Sequence, residues 1–358
     1  VAGTITSHVP EDGSRIAGSQ ASSGPTRQST SLNAQNKPNL LVAALTGIAL
    51  VAMVAAYFAP IWWVSLTAPN YPKDAFPDGI RIHFHFDGVY NGCKAAGKGT
   101  RMAEEIIQKD LSHEDERYNP VLDKKKDINK DAQGLDCVHE MNTINHYVGM
   151  YPIATGSPVE LRLSKFIFGF FAVMLLGFMA TQRRQRLLIL GGGFAAVAAW
   201  MVVDQIVLGR LETFAAYYYK EAAAFFNQPE VLAQWVANLK FATYTAIAGL
   251  AAAMVVVLLG VWKIRGFSLL LALVPALLPI YFVIDYAGWL WFFGHNLHPW
   301  GAFTVKPFMP TVFGEGKVAQ FSTYSYPYWG YALLLLVFVT LMLALLIRRK
   351  QMREGAAE

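Results

Sequence analysis

Residues 166–208 read FIFGFFAVMLLGFMATQRRQRLLILGGGFAAVAAWMVVDQIVL. Two apolar runs flank a short basic hinge, Arg183-Arg184-Gln185-Arg186. The runs have 16 and 22 residues, near the roughly 18–25 that carry a helix across a bilayer core. The hinge is too short and too basic for anything but a loop between two spans. This stretch decides the class, and the rest of the chain repeats it. Further apolar runs cover Leu40–Phe58, Phe241–Trp262, Phe267–Phe293 and Trp329–Ile347. The first two runs here are Phe166–Thr181 and Leu187–Leu208, so six transmembrane helices are predicted. The expected fold is a membrane all-α six-helix bundle with a periplasmic α+β loop domain between spans one and two.

The composition agrees. Of 358 residues, 54% are hydrophobic and 15% charged, against about a quarter charged in a soluble domain. Soluble enzymes, disulfide-dense secreted modules and disordered proteins are excluded as whole-chain classes. The net charge of +5 is no nucleic-acid signature, because the basic residues sit at helix ends. The lipid bilayer is the implied partner.

Arg183, Arg184 and Arg186, then Lys263 and Arg265, then Arg348, Arg349, Lys350 and Arg353 fall on one side of six spans. The positive-inside rule makes that side cytoplasmic. Both termini are then cytoplasmic, the membrane is the bacterial inner membrane, and loops 60–164, 209–240 and 294–328 face the periplasm. Loop 60–164 carries 12 Lys and Arg but is too long to count in the rule. Residues 1–39, rich in Ser, Gly, Thr, Gln and Asn, read as a disordered cytoplasmic tail. The five spans of 165–347 form the main bundle, and 348–358 form a second cytoplasmic tail. The first span is not a cleavable signal, being followed by Pro60-Ile61-Trp62-Trp63. Trp62 and Trp63 read as interfacial anchors. No internal repeat supports an inverted-repeat transporter.

Residues 60–164 are the domain-sized polar piece. Ile80–Phe86 alternates as a strand, with Arg81, His83 and His85 on one face and Ile80, Ile82, Phe84 and Phe86 on the other. Residues 101–118 read as an amphipathic helix, and Asp123–Asp131 as a solvated charged loop. Cys93 and Cys137, the only cysteines, form a disulfide by default in an oxidising compartment. A metal-binding thiolate pair and two free thiols are the alternatives.

The run Cys137–Met150 reads CVHEMNTINHYVGM. If helical throughout, it places His139, Asn142, Thr143, His146 and Met150 on one stripe. Imidazole and thioether together suit copper, so His139, His146 and Met150 are candidate ligands, with His83 and His85 in support. The competing reading gives Asn142, Asn145 and His146 caps and loop hydrogen bonds, with Met150 packed at the membrane surface. A second cluster, His295, His298 and Met309, lies on the same side. Its competing reading is interfacial anchoring with Trp289, Trp291 and Trp300.

Asp204 and Asp285 lie within spans three and five. An intramembrane charge faces the bundle interior or a cavity, so they mark either an ion path or an interhelical polar clamp. Pro275 and Pro279 should kink span five. Residues 210–238 read as an amphipathic helix on the outer surface. Gly191-Gly192-Gly193 lacks the lysine of a phosphate loop. No nucleotide is expected. No haem is expected either, because all eight histidines fall in tails or outer loops.

Three runs together resemble a known family. They are Ala68-Pro69-Asn70-Tyr71-Pro72, Asn142–Met150, and Lys306–Pro327, which reads KPFMPTVFGEGKVAQFSTYSYP. The chain resembles bacterial polytopic membrane proteins encoded near the maturation genes of nitrous oxide reductase, a periplasmic copper enzyme. The resemblance covers a minority of the chain, and Asn-His-Tyr-Val-Gly-Met is its most specific part. Shorter relatives lack a Cys-bearing insertion like 87–137, so the resemblance says nothing of the cysteines. It implies a copper-linked or respiratory accessory role and transfers no activity. The expected function is thus a non-enzymatic accessory protein that binds or passes copper to a periplasmic copper protein. The alternatives are a structural subunit or scaffold of a membrane respiratory complex, and a transporter using Asp204 and Asp285.

Overall fold

The computed structural model describes residues 27–69, 71, 73, 76–93, 136–152, 156–225, 228–264, 266–299, 301–302, 304–318 and 320–354. The amphipathic helix expected at 101–118 and the charged loop Asp123–Asp131 lie outside the described residues. So do residues 1–26 of the expected tail. Helix α1 (Arg27–Phe58) nonetheless begins well before the apolar run. Once the apolar segment nucleates a helix, each added residue gains one hydrogen bond at little further cost.

Among the described residues, five helices are long and apolar enough to cross a membrane, and six if a bent pair is one span. The first is α1, over Asn39–Phe58. Next come α3 (Pro158–Met179) and α4 (Arg183–Val202), the latter continued by a π turn at Val203–Val207. Helix α6 (Pro229–Lys263) and α9 (Trp329–Glu354) complete the five. The bent pair is α7 (Leu270–Ala276), preceded by a 3₁₀ turn, and α8 (Leu278–His295), which meet at 54°. Pro275 and Pro279 flank that break, as their missing N–H groups require. Many large apolar residues stay exposed on α4, α6 and α9, including Val207, Val256, Leu259 and Leu346. Such continuous apolar surface fits a multi-pass membrane protein.

Small residues set the closest helix approach. A Cβ on Gly177 of α3 would collide with Leu190 of α4, and one on Gly193 of α4 with Val173 of α3. The glycines let the two backbones approach and gain dispersion contacts. At the same end of α3, two arginines cap its last carbonyls. Arg186 donates to Gly177 O (3.2 Å) and Ala180 O (2.7 Å), and Arg348 to Phe178 O (3.2 Å). The residues read as orientation signals are thus also helix caps.

The segment 210–238 is not one helix. Helix α5 (Arg210–Phe225) ends, and α6 starts afresh with Pro229 in its first turn and runs on to Lys263. Proline suits a helix start and blocks a helix interior.

The opposite end of the bundle carries a five-stranded antiparallel sheet. Its strands are β1 (Trp62–Thr67), β2 (Ile80–His85), β3 (Gly88–Asn91), β4 (Gly314–Val318) and β5 (Phe321–Pro327), in the order β3-β2-β1-β5-β4. Two of the five strands come from the loop before α9, so the sheet is not built within 60–164. Strand β5 pairs with β1 from Trp62↔Pro327 to Thr67↔Ser322. Trp62, Val64 and Leu66 join Ile80, Ile82, Phe84 and Val89 in one buried face. Helix α2 (Cys137–Tyr147) packs Cys137, Met141 and Ile144 on that face.

Trp62 is therefore no surface anchor. It is 3% exposed, donates to Ser325 Oγ at 2.9 Å, and meets Phe282, Tyr286 and Tyr331 edge-on or tilted. Ser325 Oγ in turn donates to Val312 O and contacts the Tyr286 hydroxyl at 3.3 Å. This buried hydroxyl ties β1, β5 and α8 together. Trp63, one residue on, occupies the other face under the Arg81 guanidinium at 4.2 Å.

Candidate functional site

Beneath the β2–β3 hairpin, between α3 and α8, lies a cavity of about 200 Å³. Its wall is mostly aromatic and aliphatic, with Phe84, Phe168, Phe171, Phe282 and Phe293 among the lining residues. Ser157, Glu160 and Ser164 line it from α3, Tyr281, Asp285 and Trp289 from α8, and His85 from β2. The α8 residues recur at i, i+4 and i+8, one face of the helix.

Glu160 and Asp285 both face the cavity, close enough for their carboxyl groups to act on each other. Trp289 Nε1 donates to Glu160 Oε2 at 2.9 Å. Two carboxyl groups thus stand in a largely apolar wall, with acceptor oxygens turned to the cavity. Ser157-Pro158-Val159-Glu160 has the spacing of a capping box, yet Ser157 makes no side-chain cap. Glu160 instead meets Trp289 on the cavity side.

Glu160 escaped the sequence reading because the apolar run was taken to start at Phe166. The helix starts at Pro158, so Glu160 lies on a helical turn facing α8. An Asp inside a span and a Glu in the first turn of a neighbouring span were the available signal.

Asp204 has a different environment. It is buried in the π turn, where Lys165 Nζ (2.6 Å), Gln205 Nε2 (2.6 Å) and Arg210 Nε (3.3 Å) surround its carboxylate. Of the two readings, its geometry is that of a clamp between α3, α4 and α5. Asp285 lines the cavity.

The expected histidine and methionine ligands are placed apart. Helix α2 stops at Tyr147, and Gly149 takes a left-handed backbone (φ +82°). Gly149 N–H donates to His146 O (2.9 Å) and Met150 N–H to Asn145 O (2.8 Å). That double bond with a left-handed glycine is a Schellman stop. The predicted stripe is therefore cut, and Met150 turns off it into a core with Tyr151, Tyr218 and Phe293. Asp136 caps the other end, accepting from Val138 and His139 N–H, so the helix carrying His139 and His146 is a defined short unit.

His83 sits on the sheet face opposite Ile80, Ile82 and Phe84, whereas α2 packs on the face those residues form. The sheet thus separates His83 from His139 and His146, while His85, at the hairpin end of β2, reaches the cavity wall. His83 stacks on Tyr328 at 5.1 Å, and His85 meets Tyr90 at a tilt at 4.2 Å. Burial, with Arg81 and His85 adding like charge, holds the His83 imidazole down at about 4. Burial also lowers His146 and His298.

His295 Nδ1 lies 2.8 Å from Trp291 O, and its ring stacks on that indole. His298 meets Tyr151 edge-on, and Met309 is 45% exposed. Among the described residues, no three His, Cys, Asp or Glu side chains are grouped to hold a metal ion.

What does converge is backbone. His298 N–H donates to Gly149 O at 2.9 Å, and a Cβ on Gly149 would collide with the His298 carbonyl. The Asn-His-Tyr-Val-Gly-Met run and the Gly-His-Asn-Leu-His run thus form one seam.

Cys93 and Cys137 are disulfide-bonded with Cα atoms 5.9 Å apart. The bridge joins the end of β3 to the start of α2. Asn91 Oδ1 accepts from both cysteine N–H groups, at 3.0 and 3.4 Å. Comparison with protein-family models, curated proteins and solved structures finds no match.

Proposed function

We infer that the chain is a non-enzymatic accessory protein of the bacterial inner membrane. Its working part is the cavity under the sheet, which holds an apolar molecule whose head donates hydrogen bonds. The observation that carries this reading is the Glu160–Asp285 pair set in an aromatic wall. Burying two carboxyl groups at a membrane level is expensive, and a pocket that is apolar with a few convergent polar groups is the usual form of a small-molecule site. The flat rings suit an aromatic head, and the carboxyl oxygens suit hydroxyl donors. A hydroquinone on an apolar tail has that chemistry.

The placement of charges supports an outward-facing sheet. Arg183, Arg186, Lys263 and Arg348 lie at the end of the spans remote from the strands, as the positive-inside rule asks of the cytoplasmic side. A disulfide at the sheet end fits an oxidising compartment.

The test titrates the detergent-purified chain with a short-chain hydroquinone and with its di-O-methyl ether, reading Trp fluorescence. Saturable quenching by the hydroquinone, weak response to the ether, and loss of the response in Glu160→Gln/Asp285→Asn are expected. Equal response to the ether, or an unchanged response in the double variant, would refute the reading.

The copper-passing role rests on the resemblance and on one observation, the seam that brings the runs bearing His146 and His298 together. Competition with a Cu(I) chelator tests it. Wild-type chain should compete and His146→Ala/His298→Ala should not. Equal competition by both would remove the seam from the copper role.

A further inference from the structure

The outer turns of α3, the π turn after α4 and the start of α5 gather an excess of positive charge. Arg162 and Lys165 lie three residues apart on α3, and Arg210 opens α5. Asp204 binds Lys165 and Arg210, and Glu212 binds Lys240 at 2.5 Å. Four cations thus face two carboxylates, and both carboxylates are engaged. Arg162 has no hydrogen bond or ion pair among the described residues. Its guanidinium lies 4.5 Å over the Phe214 ring, and its Nε is buried without an acceptor. Lys165 Nζ lies 5.6 Å from the Trp200 ring.

Directly beside this cluster runs an exposed apolar strip. Trp200, Val203, Ile206, Val207 and Leu208 are 45–71% exposed. A guanidinium in a half-dry, aromatic setting without an anion is costly unless a partner reaches it. Phosphate oxygens are strong acceptors for such a fork.

We propose that this cluster binds the phosphate of an anionic phospholipid, with its acyl chains along the π-turn strip. The bilayer supplies the lipid, and the apolar strip is the feature a free phosphate would not need. The π turn is the device that permits the site. Its extra residue keeps Asp204 buried between Lys165 and Arg210, so it pairs with both of those cations and acts on Arg162 only without contact.

The test measures Tm of the full chain in a neutral detergent with added phosphatidylglycerol, phosphatidylcholine or inorganic phosphate. Native mass spectrometry counts retained lipid. Phosphatidylglycerol should raise Tm more than phosphatidylcholine and stay bound as a single adduct. In Arg162→Gln/Arg210→Gln the gain should fall to the phosphatidylcholine level. Arg162→Lys/Arg210→Lys should recover part of it, which separates lost charge from lost folding. Lys317→Gln, an exposed cation on β4 outside the cluster, should keep the full gain. Equal gains from both lipids, an undiminished gain in the Gln variant, or no recovery in the Lys variant would overturn the proposal. An equal gain from inorganic phosphate would also overturn it, making the site one for a free anion.

Discussion

Replacing Cys93 and Cys137 together by Ala removes a cross-link between residues 44 apart in sequence. On the chain-entropy account, a closed loop of that length restricts the opened state by about 4 kcal/mol. Alanine is the right replacement, because Cys137 is fully buried and a serine would add an unpaired hydroxyl. The neighbouring bonds from Asn91 to the two backbone N–H groups are worth about 1 kcal/mol each, so they cannot hold α2 against β3 alone. The loss should be local. Helix α2 and β3 meet the bundle through the sheet core, while the α3–α4 seam has its own packing. Hydrogen exchange by mass spectrometry on oxidised, reduced and Ala-substituted protein reads this directly. Peptides from 137–147 and 88–91 should lose protection by up to about three decades, since 1.4 kcal/mol is tenfold. Peptides from 166–178 should be unchanged. Reduced wild type should match the Ala variant. Protection of α2 unchanged within threefold, or an equal loss throughout the spans, would refute the reasoning.

Acid should weaken the sheet end. His83 is held near 4 in the fold against 6.5 unfolded, so the unfolded chain binds the proton first. Stability is full above pH 6.5, falls as pH drops from 6.5 toward 4, and levels below that, by up to about 3 kcal/mol. Tm measured from pH 7.5 to 4 should show this slope, and His83→Phe should flatten it; an identical slope in the variant would exclude His83 as the source. Gly149→Ala forces a side chain into left-handed backbone, costing about 1–2 kcal/mol, and pushes its Cβ against His298 O. Exchange should quicken in 144–150 and 296–298 together, and quickening in 144–150 alone would separate the two runs.

The spans were legible because a bilayer imposes length and polarity on any helix that crosses it. The runs Phe166–Thr181 and Leu187–Leu208 match α3, and α4 with its π turn, to within two residues at their C-terminal ends, and Pro275 and Pro279 marked the break between α7 and α8. The alternation of Ile80–His85 was legible for the same kind of reason, since one strand face must be buried. The disulfide followed from there being only two cysteines on one expected side. Strand β1 was hidden because two tryptophans after a span mimic an interfacial belt. Its partner β5 lies more than 250 residues away, and no local pattern encodes that pairing. The stripe from His139 to Met150 failed on one residue, Gly149, whose left-handed conformation ends the helix.

By itself, then, the sequence determined the membrane class, the spans, the basic ends and the chemistry available at the sheet end. Tertiary structure decided which of those groups meet. Hydropathy and charge are properties of single residues and short windows, so they survive without a fold. Approach of Glu160 to Asp285, or separation of His83 from His146 by a sheet, depends on which faces turn toward each other. Only the placing of α3 across the cavity from α8, and of α2 on the apolar face of β2, settles that.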